Sequence, residues 1–117
     1  MQKEKHSEIW ETYSDSWSEP NESIRESILQ KILFENCSYT DVNIETHNII
    51  ELSAYMAEFQ SRYLGARFKT TNFIVHHDQS LTHWNMVDRS GKTLTKVASF
   101  GLYEAEKLKK MAGFFWD

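Results

Sequence analysis

The hydrophobic pattern changes its period halfway along the chain. In the first half, apolar side chains recur at helical steps: Ile9, Trp10, Tyr13 and Trp17 form one stripe, with Glu8, Glu11 and Asp15 off it. That spacing predicts a helix over residues 7–17. Ser18-Glu19-Pro20-Asn21 ends it, because proline has no amide hydrogen to carry the helix on. Ser23 and Glu26 have the spacing of a capping box and predict a second helix through Ile24, Ile28, Ile32 and Leu33. The polar and β-branched residues 36–41 predict one short strand, with a loop over 43–48. Asn48 followed by Glu51 then marks a third helix carrying Ile49, Leu52, Met56, Phe59 and Tyr63 on one side, with Gly65 as its left-handed cap.

From Arg67 onward the pattern is that of strands. Residues 67–75, 81–87, 93–103 and 108–116 are alternating or β-rich, and Asp88-Arg89-Ser90-Gly91 is a turn between two of them. Helices first and a strand meander afterwards predict an α+β domain spanning 1–117, with three helices packed on one face of an antiparallel sheet. A curved sheet under a helical lid encloses a pocket, which is the expected place for function.

Composition narrows the range of functions. Aromatic residues make up 14% of the chain and four are Trp, which predicts a pocket or interface built from rings. The net charge of −4, with no basic cluster, argues against nucleic acid, whose binding rests on phosphate neutralisation. Cys37 is the sole cysteine, so no intramolecular disulfide forms and a reducing cytoplasmic setting is expected. No apolar run approaches the ~18 residues of a membrane span, and no signal-peptide core is seen.

Several segments together resemble the SnoaL-like branch of the nuclear transport factor 2-like superfamily. They are Tyr13-Ser14-Asp15-Ser16-Trp17-Ser18-Glu19-Pro20, Tyr39-Thr40-Asp41, the stretch from Phe59 through Gly65 to Phe68, and His76-His77-Asp78. Trp84-Asn85-Met86-Val87-Asp88 with Gly91, and Gly113-Phe114-Phe115, complete the set in order along nearly the whole chain. The resemblance implies a cone-shaped fold with a deep pocket between a curved sheet and three helices. Its members include polyketide cyclases, ketosteroid-isomerase-like and dehydratase enzymes, epoxide hydrolases and binding modules, so fold alone does not name an activity. The chain departs from the common pattern at Ser99, where many relatives carry an acid before the aromatic of the penultimate strand, and at Val42, where many carry proline.

The resemblance makes Asp41 a pocket-facing carboxylate and a candidate general base; the alternative is an aspartate capping a turn. His76 and His77 are neighbours on a strand, point to opposite faces and cannot easily share an ion, so no metal is expected. Alternation places His77 with Val75 and Phe73 and makes it a second candidate base, against a strand-end histidine bonded to backbone or water. Trp84 is in phase with Met86 and forms either a pocket wall or a core anchor, and the same choice applies to Trp17. Tyr13, at the mouth of such a pocket, could donate a hydrogen bond to a carbonyl or enolate, and Ser99 could be a weaker polar group on its floor. No catalytic triad, phosphate loop or cofactor motif is present. The expected function is therefore binding of a small hydrophobic or aromatic molecule. Its rivals are a cofactor-independent cyclase, isomerase or dehydratase using Asp41 or His77 with Tyr13, and a structural dimerisation module. In this superfamily the outer sheet face commonly pairs two copies; here Val87, Phe100, and Phe114 or Phe115 are the candidates to cover it.

Overall fold

The computed structural model describes residues 2–116, and the expected domain limits at 1 and 117 lie outside them. The elements run α1 (Gln2–Ser16), α2 (Glu22–Ile32), β1 (Leu33–Asp41), β2 (Ile44–Thr46), α3 (Ile49–Arg62), β3 (Arg67–His76), β4 (Gln79–Val87), β5 (Thr93–Glu104) and β6 (Lys107–Phe115). This is the expected α+β order of helices before a meander.

Three local expectations are corrected. The second helix is capped by Asn21 rather than Ser23: the Asn21 Oδ1 accepts the Ile24 amide at 2.9 Å, and Ser23 lies inside the helix. That helix stops at Ile32, and Leu33, expected within it, begins β1 with extended angles. The 43–48 segment contains a three-residue strand, β2, paired antiparallel with β1 through Tyr39↔Thr46 and Asp41↔Ile44.

The six strands form one sheet in the order β2-β1-β6-β5-β4-β3. It is mixed, not antiparallel, because β1 and β6 run parallel through Tyr39↔Met111 and Thr40↔Ala112. Hydrophobic alternation reports which face a residue takes but not the direction of a distant neighbour, so the parallel pairing is invisible to it. Each of the pairs β1–β6, β3–β4, β4–β5 and β5–β6 contains a register shift, and such irregularities bend strands and raise their twist. The β3–β4 and β5–β6 connections are two-residue turns at His77-Asp78 and Ala105-Glu106, all four with positive φ, the primed geometry that matches strand twist.

The core lies between the helices and one sheet face. Trp10, Leu29, Leu52 and Met56 from the helices meet Leu33, Tyr103, Leu108 and Met111 from the sheet. Trp10 packs over Gly101, where any β-carbon would come within 2.9 Å of the indole. Arg25 is also buried; its Nε donates to Ser53 Oγ at 2.9 Å and its Nη1 to the Glu19 carbonyl at 2.7 Å, which ties α2 to α3 and to the α1–α2 connection. On the opposite face a row of paired residues, Ile74↔Leu81↔Phe100↔Ala112, crosses four strands, and Phe114 is 63% exposed beside it. Val87, expected on that exposed face, is buried. No helix among the described residues is long and apolar enough to cross a membrane.

Candidate functional site

The aromatic stripe of α1 supplies the roof of a cavity. Trp10, Tyr13 and Trp17 are all buried, and Trp17 is the hub of a ring cluster. Its centroid lies 5.3 Å from Tyr39, 5.9 Å from Tyr55, 5.5 Å from Phe59 and 6.0 Å from Phe68. Phe68 in turn lies 4.3 Å from Trp84. These rings come from the turn just after α1 (Trp17, expected inside the helix) and from β1, α3, β3 and β4, so the cavity forms only when helices and sheet dock. The enclosed space is small, about 40 Å³, room for a few waters or one compact group. It continues past Tyr55, Phe59, Met86 and Phe115 into an open groove flanked by Asn43, Arg62, Tyr63, Leu94 and Trp116.

Two polar positions interrupt the rings. At the first, Asp41 closes β1, two residues after Tyr39 and therefore on the same side of the strand. The Tyr39 hydroxyl donates to Asp41 Oδ2 at 2.6 Å and the Tyr55 hydroxyl to the same oxygen at 3.3 Å, while the Asn43 amide donates to Oδ1 at 2.7 Å. At the second, the Trp84 indole N–H donates to Ser99 Oγ at 2.8 Å. Ser99 thus occupies the place of a late-strand acid and is taken up by an indole. Gly113, paired with Ser99 across β5 and β6, keeps the floor open: a β-carbon there would lie 3.3 Å from the Tyr39 hydroxyl and 3.7 Å from the Asp41 β-carbon.

The tyrosines of the cavity are held neutral. Burial raises the Tyr13 phenol far above its ordinary value of 10.0, and burial followed by repulsion from Tyr13 and Asp41 does the same to Tyr39. Tyr55 is pushed up to about 12, first by burial and then by the Asp41 charge. All three act as hydroxyl donors or acceptors across the physiological range.

Six of the seven residues singled out from the sequence line this one cavity: Tyr13, Trp17, Asp41, Trp84, Met86 and Ser99. Tyr13 sits within it, 3% exposed, and not at its mouth. His77 is the exception. β3 ends at His76, and His77 occupies the exposed hairpin turn with φ +47, its ring nitrogen 3.0 Å from that of His76. The alternation that placed it beside Val75 stops one residue too early for it. Tyr39 and Tyr55 were not singled out, although signals existed: Tyr39 is two residues from Asp41 on one strand face, and Tyr55 lies one helical turn before Phe59. Among the described residues, no three His, Cys, Asp or Glu side chains come together as metal ligands would.

The same architecture recurs in solved structures. This chain's fold is the one shared by solved SnoaL-like and nuclear transport factor 2-like structures. A candidate isomerase of the SnoaL-like family from Agrobacterium tumefaciens superposes with a TM-score of 0.89 at 18% identity, over 97% of this chain and 98% of that one. A SnoaL-like polyketide cyclase candidate from Jannaschia sp. CCS1 gives 0.72 at 12% identity, over 93% and 85% of the two chains. A protein of ketosteroid isomerase-like fold from Catenulispora acidiphila, in complex with trimethylamine, gives 0.74 at 12% identity, over 91% and 83%. No protein-family model and no curated protein matches the sequence.

Proposed function

We propose that this SnoaL-like domain binds a compact, mostly apolar small molecule in the aromatic cavity, with the Tyr39–Asp41–Tyr55 cluster as its polar anchor. The observation that carries the reading is convergence: rings from six elements meet around a carboxylate that the last residue of β1 delivers. A cavity walled by rings with a few placed polar groups is the usual form of a small-molecule site.

The test is a thermal-shift screen of the purified protein with phenols, small ketones, amines and carboxylates, repeated on Gly113→Val. A ligand at a hundred times its Kd adds about 2.7 kcal/mol of stability and raises Tm visibly. The valine side chain would enter the floor beside the Tyr39 hydroxyl and Asp41, so it abolishes the shift. No shift with any class, or an equal shift in Gly113→Val, overturns the reading and favours a structural module.

The same cavity supports a second reading, an isomerase, cyclase or dehydratase with Asp41 as general base and Tyr13 as polariser. Turnover abolished in Asp41→Asn, with ligand affinity kept within a few-fold, would establish it. The row of exposed Ile74 and Leu81 and half-buried Phe100, with exposed Phe114 beside it, supports pairing of two copies through the outer sheet face. Native mass spectrometry of the wild type and of Phe114→Asp tests that pairing; a monomer in the wild type refutes it.

A further inference from the structure

The charge inside the cavity narrows the class of ligand, granted that the cavity is a small-molecule site. Among the described residues that line it, Asp41 is the one charged side chain. The cation flanking the groove, Arg62, is exposed, lies outside the cavity lining and has its Nη2 2.6 Å from Glu58 Oε1, so only a screened part of its charge reaches Tyr55 at the cavity edge. The three tyrosines stay neutral. A half-buried carboxylate therefore faces an aromatic chamber with no positive partner inside it.

Each class of ligand meets that chamber differently. An anion or an enolate would approach Asp41 with nothing to offset the repulsion. A neutral apolar molecule would fill the space but strip water from the carboxylate without replacing it, which is costly. A cation does both jobs. It neutralises Asp41, and it lies near ring faces whose quadrupole attracts positive charge within about 6 Å of a centroid. The donor pattern agrees. Tyr39 and Tyr55 direct their hydroxyl hydrogens to Asp41 and Trp84 its indole hydrogen to Ser99, so beside Asp41 the cavity offers a carboxylate acceptor and π-faces, while the Ser99 hydroxyl keeps its own hydrogen. An ionised carboxylate has about four acceptor positions. Three are used by Tyr39, Tyr55 and Asn43, leaving one for an ammonium N–H. The small volume favours a compact head group over a fused ring system.

We propose that the cavity binds a small organic cation with a methylated ammonium group, its charge against Asp41 and its methyl groups against the rings of Trp17, Tyr55, Phe59 and Trp84. The groove beyond Phe115 takes any remainder of the molecule.

The test compares shape-matched probes on the wild type by calorimetric titration: trimethylammonium and tetramethylammonium, neutral tert-butanol, and anionic pivalate. The cations bind at least about tenfold more tightly than tert-butanol, and pivalate binds most weakly. In Asp41→Asn, checked for folding by circular dichroism, that preference disappears. Equal binding of tert-butanol and the cations overturns the assignment but leaves the cavity as a binding site. Binding confined to phenols or ketones does the same. Absence of binding by every class sinks both readings. The wild-type ratio needs no variant, so the comparison stands even where Asp41→Asn does not fold.

Discussion

Gly101→Ala probes how α1, and with it the cavity roof, is seated on the sheet. Gly101 lies on the inner face of β5, and a β-carbon there would fall 2.9 Å from Ser80 Oγ, 2.9 Å from Trp10 Cζ3 and 3.0 Å from Leu108 Cδ2. All three neighbours are at most 3% exposed, so none has free space to retreat into. Overpacking of this kind costs about 1–3 kcal/mol. Replacing glycine within a strand returns roughly 0.5–1 kcal/mol of backbone entropy. With three contacts at or below 3.0 Å the overpacking cost lies in the upper part of its range, about 2–3 kcal/mol, and the net loss is about 1–2.5 kcal/mol. With about 2.1 cal/mol/K per residue of unfolding entropy over 117 residues, each kcal/mol moves Tm by about 4 °C. Gly101→Ala is thus expected to lower Tm by about 4–10 °C and to reduce the urea midpoint at unchanged slope. Gly113→Ala is the control, because its closest new contact is 3.3 Å, to a hydroxyl, and its stability should stay within about 0.5 kcal/mol of the wild type. Because Trp10 and Tyr13 line the cavity, Gly101→Ala should also weaken any ligand found there. A Gly101→Ala protein as stable as the wild type refutes the seating of Trp10 on this glycine.

Three further outcomes are expected. His77→Ala, on the exposed hairpin turn, leaves ligand affinity and any turnover unchanged; a loss of either would return His77 to the site. Tyr39→Phe removes the 2.6 Å donor to a half-buried carboxylate and should cost about 1–3 kcal/mol in urea titration, with no cost meaning that bond is not made in solution. Stability should fall in alkali. Burial pushes the Cys37 thiol from 9.0 up to about 11, and Tyr55 from 10.0 up to about 12. A raised folded-state pKa contributes stability that is fully present below the unfolded value and is lost as pH climbs to the folded one. Urea midpoints should therefore hold to about pH 9 and decline towards pH 11, less steeply in Cys37→Ala; a flat profile over that window refutes the burial-driven shift.

Features set by neighbouring residues were legible in the sequence, and features set by docking were not. The third helix was read correctly at its start because its cap is closed within four residues: Asn48 Oδ1 accepts the Glu51 amide at 2.8 Å, and Glu51 Oε1 accepts the His47 amide at 2.8 Å. The second helix starts earlier than the Ser23–Glu26 spacing implies, because Asn21, directly after Pro20 and in an extended conformation, caps it first. The parallel neighbour of β1 and the three-residue β2 left no periodic trace, since one depends on a strand some seventy residues away and the other is shorter than a period can register. The site follows the same division. Trp17, Trp84 and Met86 were found from the phase of their own elements, whereas Tyr55 reaches Asp41 only because α3 lies against β1. His77 was misplaced because strand alternation was carried through to the turn, although two consecutive residues capable of positive φ, His77 and Asp78, lay between two β-runs.

The arrangement around Asp41 bears on whether the cavity holds a molecule or transforms one. Proton transfer along a substrate is efficient when an acid and a base near neutral pKa face the same atoms. Here the other ionisable groups lining the cavity are three phenols, all displaced upward by burial and so poor proton acceptors or donors at neutral pH. The position that could have carried a second acid is Ser99, and its hydroxyl oxygen receives the Trp84 indole. Three of the roughly four acceptor positions of Asp41 are taken, and the one left can meet an ammonium N–H or a substrate proton alike. A proton relay also needs a second acid or base, and the other polar groups lining the cavity are neutral phenols and serine hydroxyls, whereas a cation needs only the carboxylate and the ring faces. One variant separates the two readings. If Asp41 is a counter-ion, Asp41→Asn loses affinity for trimethylammonium. If Asp41 is a base, the same variant keeps its ligand and loses only turnover.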